Sequence, residues 1–150
     1  MTRELQKHRT FLRVATSLAT LATCKRRQVG CVMVDHKFRI LASGYNGTPA
    51  GAVNCTEVPC KGAGYPSGQG LEFCEALHAE QNALIQLKEP ERVAYIYNTA
   101  SPCMHCVKML ANTSAHTIVF AQEYPHYEAR DYWLALGREW LHIKDIQEPV

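Results

Sequence analysis

The chain has little net charge and no long apolar run at its start. A formal charge of +2 over 150 residues is too weak to argue for nucleic acid by itself. Residues 1–23 carry Arg3, Lys7, Arg9 and Arg13 inside their apolar pattern, so neither a signal peptide nor a membrane span is expected there. No internal repeat, low-complexity tract or second-domain boundary is visible. What is present is ordinary for a globular protein: 47% hydrophobic and 20% charged residues, enough apolar content to exclude disorder. The length suits one domain over residues 1–150. We expect a cytoplasmic protein with no membrane or nucleic-acid partner. In that compartment the seven cysteines serve as thiols or metal ligands rather than disulfides.

Hydrophobic periodicity divides the chain into alternating elements. Leu5, Phe11, Leu12, Ala15, Leu18, Ala19 and Ala22 recur at helical spacing and predict a first amphipathic helix. "QVGCVMVDHKFRILASGYN" reads as two strands around a turn at His36-Lys37. "HAEQNALIQLKE" predicts a helix ended by Pro90. "RVAYIYNTA" reads as a strand, "CMHCVKMLAN" as a helix and "HTIVFA" as a strand. "YEARDYWLALG" reads as a helix closed by Gly137, and "WLHIKDI" as a last strand. Strands separated by helices favour parallel pairing through crossover connections, which predicts a three-layer α/β/α fold. Between about residues 47 and 74 lies a Gly/Pro/Cys-rich insertion, too long for a structureless loop unless something ties it down.

The chemistry-bearing motif is "SPCMHC", residues 101–106. Cys103 and Cys106 are three apart at a predicted helix start, so they share a face. The helix N-terminus favours their thiolates. Alone, the pair also fits a redox dithiol or two core thiols. Upstream, "HAEQN" puts His78 and Glu80 at another helix start. The intervening residues suffice for a helix, a turn and a strand, which would set the two helix starts side by side. His78, Cys103 and Cys106 then make three ligands for zinc and leave a fourth position for water. Glu80 lies near that water without being a ligand. His105, between the two cysteines, is placed on the other side of the helix and given no role.

This H-x-E…P-C-x-x-C order is the signature of zinc deaminases. With "CKRRQVGCVMV" and "GYNGTPAG", it makes the chain resemble the deoxycytidylate deaminases of the cytidine deaminase superfamily, from about Thr10 to Ile146. That resemblance implies a central five-stranded mixed sheet with helices on both faces. It also implies a homo-oligomer, often a hexamer, whose subunits share parts of their sites. The implied reaction is hydrolysis of dCMP to dUMP and ammonia, supplying dUMP for thymidylate synthesis. Zinc supplies the hydroxide. Glu80 carries the proton to N3 of cytosine and helps the amino group leave.

Substrate contacts are expected from Asn46, whose family counterpart touches the deoxyribose, and from Arg26 and Arg27 on the phosphate. Tyr124 is placed to stack on the base. Ser101 and the adjoining Pro-Cys peptide are placed to stabilise tetrahedral charge. "GYNGTPAG", with Gly44, Tyr45 and Gly47, resembles the segment beside a regulatory site where dCTP activates and dTTP inhibits, with Mg²⁺ on the phosphates. Cys24, Cys55, Cys60 and Cys74 are candidates for a second, structural zinc that would order the insertion. Their bland alternative is four scattered thiols. Two other functions compete. One is deamination of another base, such as tRNA adenosine or guanine, although a tRNA enzyme should be more basic. The other is a silent zinc-binding module, which would have no use for a non-ligand acid at Glu80.

Overall fold

The computed structural model describes residues 1–66, 69–70, 73–125 and 127–147. Thr2 caps the first helix, α1 (Arg3–Ala19), by accepting the Leu5 N–H on its side-chain oxygen. Then come β1 (Gly30–Val34) and β2 (Ile40–Tyr45), α2 (Ala79–Gln86) and β3 (Tyr95–Ala100). The chain continues through α3 (Met104–Leu110), β4 (Thr117–Gln122), α4 (Tyr127–Ala135) and β5 (Glu139–His142). Every element expected from periodicity is present, most of them shorter than the sequence pattern suggests.

Strand order is β2-β1-β3-β4-β5. β1 runs antiparallel to both its neighbours, whereas β3, β4 and β5 are mutually parallel. The sheet is therefore mixed, as the resemblance implies. The crossover argument still holds for β2 and β3. They point the same way and are joined through α2, but β1 lies between them.

β1 is buried at all five positions because both its faces are covered. Cys31 and Met33 point into a core shared with Ala79, Ala83, Val107, Leu110 and Trp133. Val32 and Val34 point into a second core with Leu12, Ala15 and Tyr97. Thus α1 covers one face, α2 to α4 cover the other, and three layers result. The expected β1–β2 turn forms around Asp35, whose Oδ1 accepts the N–H groups of Lys37 and Arg39. Phe38 takes the left-handed conformation, φ 62°.

α2 stops at Gln86, short of Pro90. Proline disfavours helical backbone in the residue before it. Glu89 accordingly lies outside the helical region (φ −130°, ψ 77°), and Pro90 instead opens a single 3₁₀ turn. No helix among the described residues is long and apolar enough to cross a membrane.

Candidate active site

His78 is the N-cap of α2 and Cys103 is the N-cap of α3. The two helices start side by side on one face of the sheet. The His78 N–H donates to Gln81 Oε1 at 2.7 Å, which fixes the turn into α2. His78 Nδ1 lies 3.2 Å from Cys106 Sγ and 3.6 Å from Cys103 Sγ. The three potential ligand atoms lie within 4.8 Å of one another. One imidazole nitrogen and two sulfurs at this spacing suit a tetrahedral zinc with a fourth position left open.

The charge distribution fits that use. Hydrogen bonding with Cys106, and then with His78, holds the Cys103 thiol down to about 3. Cys106 is pushed up, because it hydrogen-bonds the Cys103 sulfur and is buried. The two thiols are thus shifted in opposite directions, and a divalent cation would hold both as thiolates. His78 is raised, chiefly by Cys103. Glu80 is only 4% exposed, and burial is the main cause lifting its carboxyl above the usual range. A buried carboxyl whose proton affinity is raised in this way is suited to taking up and releasing a proton.

The centre opens into a cavity of about 790 Å³, within the usual size of small-molecule sites. All five expected substrate residues line it: Asn46, Arg26, Arg27, Ser101 and Tyr124. Their bonding sorts them. Asn46 is a strap, since its Oδ1 accepts the Val29 N–H and its Nδ2 donates to the Arg27 carbonyl, both at 2.7 Å. One donor and one acceptor site remain on that amide. Arg26 cross-links the insertion, donating to the carbonyls of Gly62 at 3.1 Å and Pro66 at 2.8 Å. Arg27 lays its guanidinium over the Tyr124 ring, 3.5 Å from the centroid. Ser101 Oγ accepts the Tyr124 N–H and donates to the Tyr124 carbonyl. Its single proton is therefore engaged, and in this arrangement Ser101 holds Tyr124 rather than offering a donor to an oxyanion.

One other placement differs from the sequence reading. His105 does line the cavity, because α3 begins at Met104 and its first turn faces the opening. Gly44, Tyr45 and Gly47 all make structural contacts. A Cβ on Gly44 would lie 2.4 Å from the Ala79 carbonyl. The Tyr45 carbonyl accepts from Asn82, and Gly47 bridges to Leu77.

The four remaining candidate cysteines, Cys24, Cys55, Cys60 and Cys74, do not bring three ligand atoms within 4.8 Å of one another. Among the described residues only His78, Cys103 and Cys106 meet in this way. Cys55 and Cys60 do approach, with Sγ atoms 3.8 Å apart. Sequence reading also missed Tyr65, Ala63 and Gln81 in the cavity wall. Nothing in the composition of the insertion marked which of its residues face inward.

A mixed five-stranded sheet that presents one histidine, two cysteines and a buried non-ligand glutamate at paired helix starts defines the zinc-dependent deaminases as a class. The chain belongs to the cytidine and deoxycytidylate deaminase family, whose zinc-binding region matches residues 5–122. It is 36% identical over 117 residues to the deoxycytidylate deaminase of Saccharomyces cerevisiae, covering 76% of this chain and 37% of the yeast protein. Against the deoxycytidylate deaminase of Mycobacterium phage D29 the identity is 35% over 119 residues, covering 75% of this chain and 92% of the phage protein. The chain therefore spans little more than a third of the yeast relative but nearly all of the phage one. Among solved structures it resembles the dCMP deaminase of cyanophage S-TIM5 in complex with dCMP and dUMP. There the TM-score is 0.76 and the identity 29%, over 95% of this chain and 99% of the other.

Proposed function

We propose that the chain hydrolyses dCMP to dUMP and ammonia in the cytoplasm, supplying dUMP for thymidylate synthesis. The observation that carries this reading is one cavity joining the His78–Cys103–Cys106 centre and Glu80 to a basic corner at Arg26 and Arg27. A cytosine at the centre and a phosphate at the corner fit such a layout. In the reaction a C4–O bond forms, the C4–N bond breaks, and the amino group leaves as ammonia.

His78, Cys103 and Cys106 would hold zinc, which when bound supplies hydroxide near neutral pH. Glu80 takes up the proton released from the attacking water and delivers it to N3, then takes the proton of the new C4 hydroxyl and gives it to the leaving amine. Asn46 offers its remaining donor and acceptor to the deoxyribose. Arg27, held by Tyr124, meets the phosphate, and Tyr124 borders the base. Backbone N–H groups at the start of α3 stabilise the tetrahedral charge, in place of the engaged Ser101 hydroxyl. Ammonia release from dCMP, dCTP, deoxycytidine, cytosine and guanine tests the assignment. We expect dCMP to be turned over best, and preference for any other member of the panel overturns it.

Regulation and assembly extend the same reading. The assembly is a homo-oligomer, with a hexamer as the expected form. The "GYNGTPAG" segment borders a site where Mg²⁺-bound dCTP activates and dTTP inhibits by favouring different quaternary states. Adding dCTP is expected to raise the rate at subsaturating dCMP, and dTTP to lower it. Rate curves that neither nucleotide moves rule this out.

A second zinc in the insertion, on Cys24, Cys55, Cys60 and Cys74, is supported by the surroundings of Cys60. Its sulfur receives the backbone N–H of Glu75 first, then those of Gly62 and Ala63, and these hold the thiol below its ordinary range. Cys74 in turn feels the charges of Cys24 and Cys60. The unmutated protein is expected to contain two zinc ions per chain, and Cys60→Ser one. A single zinc per chain in the unmutated protein, prepared without chelator, refutes the second site.

A further inference from the structure

The insertion also brings a phenol to the cavity. Tyr65 lines it and is 43% exposed. The ring is not loosely attached. It stacks on Phe73, with centroids 5.5 Å apart and planes 19° from parallel. Gly70, at φ +62°, lies so close beneath it that a Cβ there would be 2.2 Å from Tyr65 Cγ. The turn that carries Tyr65 is pinned on both sides. Its own N–H donates to the Gly62 carbonyl at 3.3 Å. The Arg26 guanidinium grips the Gly62 and Pro66 carbonyls that flank it in the chain. Tyr65 therefore sits at the basic corner of the cavity, beside one arginine, with Arg27 lining the same space. Among the described residues its hydroxyl has no hydrogen-bond partner.

A held aromatic ring beside guanidinium groups, its hydroxyl unbonded among the described residues, matches one need of the substrate. A phosphate monoester presents several acceptor oxygens, more than one arginine satisfies, and a phenolic O–H donates well to such an oxygen. From this geometry we infer that Tyr65 is a specificity-determining residue that hydrogen-bonds the 5′-phosphate of the nucleotide. The insertion is then a working wall of the site, and it lets the enzyme tell a nucleotide from a nucleoside. The inference rests on the dCMP deaminase reading, but its test is separable from that reading.

Tyr65→Phe keeps the ring, the Phe73 stack and the fit over Gly70 and removes only the hydroxyl. Steady-state kinetics on dCMP and deoxycytidine, with isothermal titration of dCMP and inorganic phosphate, would be measured on both proteins. For Tyr65→Phe the KM and Kd for dCMP are expected to rise about tenfold, the loss of one hydrogen bond to a charged group. Phosphate should bind more weakly as well, while kcat and the KM for deoxycytidine stay unchanged. Unchanged dCMP affinity overturns the assignment. So does an equal rise for deoxycytidine, which would make the hydroxyl a general wall contact. An unmutated protein that binds dCMP but does not turn it over refutes the activity alone, since the Tyr65 contrast is still read in the titration. No dCMP binding at all refutes both.

Discussion

Glu80→Gln is expected to keep the fold and the metal centre and to lose about 10²–10⁴-fold in kcat, the usual worth of a positioned general acid–base group. The two side chains are nearly isosteric, and Glu80 is not among the three ligands that converge. Metal content should therefore be unchanged. The amide cannot carry one proton from the attacking water to the ring, nor a second from the new C4 hydroxyl to the leaving amine. Stability should not fall much either. The Glu80 carboxyl is buried against its tendency to ionise, with desolvation the leading cause of its raised proton affinity, and a neutral amide avoids that cost. Three measurements decide it together: turnover of dCMP, zinc per chain and the thermal midpoint. Near-normal turnover with zinc retained would remove Glu80 from the mechanism.

The largest effect on stability is expected at Gly30. An added Cβ would lie 1.9 Å from the Ala15 carbonyl oxygen and 2.8 Å from its carbon. The obstacle is the α1 backbone, which cannot rotate aside as a side chain can. Gly30 opens β1, whose every position is buried between the two cores. Gly30→Ala must therefore push α1 off the sheet, and we expect a loss of about 3 kcal/mol, the upper part of the overpacking range. Denaturant titration reads it directly, and an unchanged midpoint would mean that α1 does not pack as closely as this.

Gly44→Ala is the counterpart on the other face, where the added atom meets the Ala79 carbonyl and the Ala83 N–H. There the displaced helix carries His78 and Glu80 at its start. That substitution should lower zinc affinity as well as stability, which separates it from Gly30→Ala.

These glycines show where sequence reading reaches its end. Gly44 was singled out for its place in "GYNGTPAG", yet its visible contact is a backbone approach between β2 and α2. A glycine's need for closeness is a property of two segments far apart in the chain, and neither segment announces it. The catalytic motif was different. His78, Glu80, Cys103 and Cys106 were legible because a metal site needs particular atoms at particular local spacings. Three residues along a helix start put Cys103 and Cys106 on one face whatever the rest of the chain does. The alternation of elements was legible for the same reason, since burial of one helix face or both strand faces leaves a period in the sequence.

The mixed strand order was a different matter. That the sheet would be mixed followed from the resemblance, but that β1 lies between β2 and β3 was decided only by the tertiary structure, because pairing partners depend on long-range packing rather than on any local period. Only the tertiary structure distinguished the side chains at the cavity wall. Arg26 and Arg27 are adjacent and chemically identical, but one is drawn to the carbonyls of Gly62 and Pro66 and the other lies over Tyr124. Asn46 became a strap, Ser101 a holder of Tyr124, and His105 a residue of the opening. Local chemistry determined which residues could bind a metal or a phosphate. Which of them have free donors was decided by what folding placed against each one, since every hydrogen bond made within the protein is one fewer for a ligand.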